Sequence, residues 1–204
     1  RSDRDWSSDV CSSDLFLHHT AGWHYHVKVI DDWATDTRGA IATEFVIGGQ
    51  SIRNNDNSFD GQILQSFPVG GYGWHLGVGN SEMHRNSVGV EVCSFGQLTA
   101  DGYNRIVDGQ SVWTPMKKGC FYTYVGTEAH PDQVVKLAKP FRTYSYWHTY
   151  SQKQLESLRS LILYIANRDS IDVRQGLPDL IRKHGYKAFD ICDLNLVTST
   201  KGLW

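Results

Sequence analysis

The sequence predicts an α/β fold: a mixed central β-sheet flanked by helices. Three observations predict it. Apolar runs bounded by glycine or polar turns at 16–22, 42–47 and 87–93 read as strands. A capped amphipathic pattern over 151–168 reads as a long helix. Strands, then helix, then short apolar pieces is the order expected when helices cover a sheet. The chain has 204 residues, 40% of them hydrophobic and 12% aromatic. That is enough for one domain with a real core and too little for two comfortable ones.

The elements follow in order. Residues 1–15 are Ser/Asp-rich and lack the basic and apolar regions of a signal peptide. Asp5 to Leu15 matches, in register, the translation of a sequencing-library adapter, so 1–15 is expected to be non-native and 16–204 to form the domain. The native start, with any signal peptide, is then expected to be missing. After the strand at 16–22, Val27, Ile30 and Trp33 fall at helical spacing, with Asp31 and Asp32 opposite. Ala42 to Ile47 and Gln62 to Phe67 read as a hairpin with an expanded loop around 54–60. The stretch 70–80 carries five glycines around Trp74, His75 and Leu76. It suits an ordered loop whose backbone passes close to a ligand. From Ser87 the pattern alternates: Val88, Val90 and Val92 on one face, Gly89, Glu91 and Cys93 on the other. Residues 97–135 suggest an added hairpin, with β-prone residues at 120–125. Ser151 with Gln154 forms a capping box, followed by the stripe Leu155, Leu158, Leu161, Ile162 and Ile165. A shorter helix runs from Pro178 to His184, stopped by Gly185.

Composition excludes several functions. Net charge is −2, which gives no reason to expect nucleic-acid binding or a basic membrane patch. No apolar run approaches the ~18 residues of a membrane span. The cysteines, Cys11, Cys93, Cys120 and Cys192, form no CxxC pair, so zinc-ribbon and thioredoxin motifs are absent. No HExxH helix motif occurs. A monomer is expected.

Two features carry chemistry. His18 and His19 lie on a strand, which turns their rings to opposite faces, so at most one can serve a given metal. Glu91 sits in the middle of an apolar strand. A carboxylate there either pairs with a cation or lines a cleft, because an unpaired buried charge is costly.

Three ordered motifs, His18-His19-Thr20-Ala21-Gly22, Trp74-His75-Leu76-Gly77 and Ser87-Val88-Gly89-Val90-Glu91, resemble the zinc-dependent N-acetylmuramoyl-L-alanine amidases. That family shares its fold with phage lysozyme-amidases and peptidoglycan recognition proteins, and includes endolysins, autolysins and recycling enzymes. Phe141 to Tyr144 and Tyr150 to Leu155 resemble the family's entry into its long helix. The resemblance implies a hydrolase cutting the amide between N-acetylmuramic acid and L-alanine in peptidoglycan, with Zn2+ as cofactor. It implies His18 as a zinc ligand, Glu91 as the group that moves the water's proton, and Trp74 and His75 as borders of the substrate groove. Thr43-Glu44 stand where some branches place a tyrosine, which favours the Glu91 type of site. Zinc with three protein ligands and an open position activates water near neutral pH and polarises a carbonyl.

One histidine does not make a zinc site. The resemblance implies a second histidine and a Cys or Asp after the long helix. His184 and Cys192 are the internal alternatives, but Asp190 replaces the lysine expected before the last ligand. The preferred expectation is that these ligands lie beyond Trp204, so that this chain alone binds zinc weakly and has little activity. The alternative function is a non-catalytic peptidoglycan-binding module. Retention of both His18 and Glu91 favours the enzyme.

Overall fold

The computed structural model describes residues 14–77 and 81–204. The strands and helices in chain order are β1 (Asp14–His19), α1 (His26–Ala34), β2 (Phe45–Ile47), β3 (Ile63–Gln65), α2 (Ser81–Arg85) and β4 (Ser87–Val92). Then come β5 (Gln97–Ala100), β6 (Gly102–Val107), β7 (Gln110–Pro115), β8 (Phe121–Tyr122), β9 (Val134–Phe141) and β10 (Tyr144–His148). The chain closes with α3 (Gln152–Asp169), α4 (Leu177–His184), α5 (Ala188–Ile191), α6 (Leu194–Ser199) and β11 (Gly202–Leu203).

The central sheet has the order β11-β1-β4-β2-β3. Its first four strands are parallel and β3 returns antiparallel at the edge. This is the mixed sheet expected from the sequence. Alternation in β4 sends Val88, Val90 and Val92 to one face. There they join Leu15, Phe45 and Ile47 against Leu161, Ile165 and Ile171 in the main core.

Both ends of α3 are tied to the sheet. At its start the Gln154 N–H donates to Ser151 Oγ (3.0 Å) and the Ser151 N–H to Gln154 Oε1 (3.1 Å). Gln154 Nε2 also donates to the Cys93 carbonyl at 2.9 Å, which fixes the helix start beside the end of β4. At the other end Arg168 forms a two-pronged ion pair with Glu44, at 2.6 and 3.0 Å, and bonds Asp169. Such planar pairing has the geometry that makes Arg–carboxylate bonds strong. Glu44 therefore anchors the helix.

The structure differs from the sequence reading in three places. Asp14 and Leu15, set apart as non-native, are the first residues of β1. Leu15 is fully buried and pairs with Val88 and Leu203, because an apolar residue there continues the strand beside β11. Cys11 and the rest of 1–13 lie outside the described residues, as does 78–80. Leu155, assigned to the apolar stripe, is 46% exposed, since it faces an open cavity and not the sheet core. The region 97–135 holds more than a hairpin. With β9 and β10 it contributes a four-stranded antiparallel sheet, β8-β5-β10-β9, and the separate pair β6-β7. This sheet has its own core of Ile52, Phe95, Leu98 and Ala129. Cys93, Cys120 and Cys192 are free thiols.

His148 joins the two sheets: its Nδ1 accepts the Phe95 N–H at 3.1 Å and its own N–H donates to the Gly96 carbonyl at 2.8 Å. Burial pushes its pKa down to about 4. The unfolded chain, with a histidine near 6.5, then binds more protons between those values. Its contribution to stability is full above about pH 6.5 and is lost as pH falls toward 4. Urea unfolding of wild type and His148→Asn at pH 7 and pH 5 is expected to show a steeper loss for the wild type; equal losses would refute the assignment. In the main core, Ile165→Ala is expected to cost about 2–5 kcal/mol, while Leu155→Ala costs under about 1 kcal/mol, both read from urea midpoints.

Candidate active site

The face of the sheet opposite the main core carries the polar residues. Parallel pairing aligns Phe16 with Gly89 and His18 with Glu91, so all four share one face. His19 points away from it: its Nδ1 accepts the Ala21 N–H at 3.2 Å, and a side chain on Gly96 would meet its ring at 2.7 Å. The opposition of the two histidines is as the strand period requires.

The loop before α2 brings His75 down onto this face. A Cβ on Gly89 would lie 2.8 Å from Thr43 Cγ2 and 3.0 Å from His75 Cγ and Nδ1. Glycine therefore makes room for the imidazole. Gly73 does the same for the backbone, since a Cβ there would come within 2.4 Å of the Ala42 carbonyl oxygen. The loop is held by the Trp74 N–H on the Ala40 carbonyl (2.8 Å) and the His75 N–H on His84 Nδ1 (3.1 Å). The His75 ring is wedged between Phe16, His18 and His84, with centroids 5.8, 5.6 and 5.3 Å away. Its Nε2 lies 3.1 Å from Ser87 Oγ and its Nδ1 lies 3.4 Å from His18 Nε2.

Burial sets the protonation of these groups. Desolvation lowers the pKa of His18 to about 4 and that of His75 to about 3, the second helped by the neighbouring histidines. Both imidazoles are neutral at pH 7. Desolvation raises Glu91 to about 7, and its Oε2 is buried without a hydrogen-bond partner. An unpaired buried carboxylate oxygen is costly unless the site has a use for it.

Glu91 separates two open cavities. One of about 440 Å³ is lined by Trp33, Arg38, Thr43, Trp74, His75 and His84. The other, about 560 Å³, is lined by His18, His19, Arg142, Tyr150 and Leu155. Trp74, 41% exposed, presents an indole to the first, and aromatic faces suit sugar or peptide ligands. The exposed Leu155 thus lines a cavity wall.

The structure brings His18, His75, Glu91 and Trp74 together. It does not bring His184 or Cys192 to them. His184 closes α4 and Cys192 follows α5. Among the described residues no three His, Cys, Asp or Glu side chains are placed to hold a metal. The donor types fit zinc, being neutral imidazoles beside an orphan carboxylate oxygen, but a three-ligand set is not assembled. Sequence reasoning missed His84, Ser87 and Tyr150. No spacing rule links His84 to His75 nine positions earlier; only the folded loop does. Ser87 was readable as the strand's first residue but not as an imidazole partner.

No family model matches the chain, and no curated protein matches it. Among solved structures it is similar to AMPDH3 from Pseudomonas aeruginosa (17% identity, TM-score 0.43, covering 82% of this chain and 52% of that one). It is also similar to the N-acetylmuramyl-L-alanine amidase AmiD from E. coli in complex with the substrate anhydro-N-acetylmuramic acid-L-Ala-D-gamma-Glu-L-Lys (14% identity, TM-score 0.42, 84% and 49%). A third is AMPDH3 with anhydromuramic pentapeptide (17% identity, TM-score 0.41, 76% and 45%). The chain spans about half the length of these structures.

Gly89→Ala tests the site's packing. The new methyl has to displace Thr43 or the His75 ring, at a cost of about 1–3 kcal/mol. Thermal unfolding is expected to show a lowered midpoint, with shifted His75 ring resonances in the folded state. An unchanged midpoint and unchanged resonances would contradict the packing described.

Proposed function

We propose that this chain carries the catalytic face of a zinc-dependent N-acetylmuramoyl-L-alanine amidase, which hydrolyses the amide between N-acetylmuramic acid and L-alanine in peptidoglycan. The observation that carries the reading is Glu91: a part-buried carboxyl group raised toward neutrality, its Oε2 buried without a hydrogen-bond partner, opposite His18 on the adjoining strand. A residue in that state can take a proton from water and return it to a leaving amine. The order of the His18, Trp74-His75 and Glu91 motifs supports the choice of substrate. Zinc at His18 would polarise the scissile carbonyl and activate water. Among the described residues no three His, Cys, Asp or Glu side chains are arranged to complete such a site.

The chain's own residues have distinct tasks in this proposal. Glu91 handles the proton. Trp74 offers a face for the glycan or stem peptide in the cavity that Glu91 borders. Phe16 and Val46, both buried, flank His18 and Glu91 on the same sheet face.

A second reading, a recognition module that grips muropeptides without cutting them, shares the cavity and Trp74 but gives Glu91 no task. The two part on one assay. Peptidoglycan is incubated with Zn2+ and the protein, carrying any sequence that follows Trp204 in its intact reading frame, and new N-terminal L-alanine is measured. Glu91→Gln is expected to lower turnover about 10²–10⁴-fold while muropeptide affinity stays within a few-fold. Muropeptide binding with no cleavage by the wild type would sink the hydrolase and favour the recognition module.

A further inference from the structure

We infer that the second of the two cavities at Glu91 recognises a free carboxylate of the stem peptide, and that Arg142 is the residue that receives it. The inference rests on the reading of the ligand as a muropeptide and deepens it, but it does not require that the ligand be cut.

The two cavities differ in the state of their arginines. In the cavity walled by Trp74, Arg38 is already occupied by Asp36, at 2.6 and 3.0 Å. The cavity of about 560 Å³ is walled by Arg142. The ion-paired arginines among the described residues are Arg38, Arg168, Arg174 and Arg182; Arg142 is not one of them. Glu91 is the only acid lining its cavity, and burial alone raises Glu91, so the guanidinium is not its counter-ion. Burial keeps His18 and His19 neutral beside it. The permanent charge of this cavity is therefore one cation.

That cation is held in place. Phe141 pairs with Tyr144 across β9 and β10, which leaves Arg142 and Thr143 as a two-residue turn. Their φ angles are 47° and 75°. Turns of this kind need left-handed backbone at both positions and favour Asn-Gly, and a β-branched residue there is strained. Packing offsets the strain. The Phe141 ring has Trp147, Tyr186 and Phe189 around it, with centroids 5.7, 6.3 and 5.2 Å away. The Arg142 guanidinium lies 5.4 Å over that same ring. A guanidinium stacked by its face keeps its N–H edges for a planar anion, and a carboxylate fits that fork with two parallel bonds. Glu91 borders both cavities. A muropeptide with its amide at Glu91 and its sugar at Trp74 extends its peptide toward Arg142, and stem peptides carry free carboxylates. The second sheet then has a task, since its β9-β10 turn delivers the arginine.

Calorimetry of this chain with two synthetic muropeptides tests the inference, one with a free carboxylate on its peptide and one with that group as the primary amide. The wild type is expected to bind the acid about tenfold more tightly or better, with the preference shrinking as salt rises. Arg142→Asn, a residue the turn favours, is expected to bind both compounds alike. Arg105→Gln, on β6 and outside the cavity, is expected to keep the preference. Thermal midpoints near that of the wild type show that both variants fold. Equal wild-type affinities, no measurable binding of the acid, or a preference that survives Arg142→Asn or vanishes in Arg105→Gln overturns the inference. Peptidoglycan cleavage without the preference sinks this inference and leaves the amidase reading standing. The preference without cleavage does the reverse.

Discussion

The register of β1 against β4 is the constraint on which the site depends. Because the strands run parallel with His18 opposite Glu91, an imidazole and a carboxylate stand side by side on one face. Their neighbours Leu15, Val88, Val90 and Val92 fill the other face. A slip of one residue would bury both polar groups against α3 and expose the valines. The main core therefore specifies the site: what keeps the valines inward keeps His18 and Glu91 outward.

Absence of a side chain matters as much as presence. Gly89 leaves a gap on the strand that His75 fills, and Gly73 lets the loop backbone approach Ala42 closely enough to deliver that ring. The result is a wedge of aromatic rings, Phe16, His18, His75 and His84, in which each imidazole loses water and stays neutral. Glu91 beside them is desolvated without a hydrogen bond to its Oε2. These groups together would stabilise the fold better as hydrocarbons, since orphan buried polar atoms cost free energy. Their retention is what a site would require.

Much of this was legible in the sequence. The alternation from Val88 to Cys93 fixed which face Glu91 occupies, and Ser151 with Gln154 announced the helix start that the structure shows. The opposite orientations of His18 and His19 followed from strand period alone. Other parts depend on contacts between distant segments. Ser87 reaches His75 Nε2 only because the loop before α2 folds back over the sheet. Leu155 fits the helical stripe but faces an open cavity, which periodicity cannot register. The second sheet escaped detection because β5 and β8 are short and β5 pairs with β10 across about 50 residues, where local pattern carries no signal.

The central proposal is that this sheet face binds zinc at His18, beside Glu91. Anomalous diffraction at the zinc absorption edge, from crystals soaked in Zn2+, tests it most directly. The account predicts one peak at His18, on the side of the sheet where Glu91 lies. No peak at His18, with zinc instead at His184 or Cys192, would contradict it.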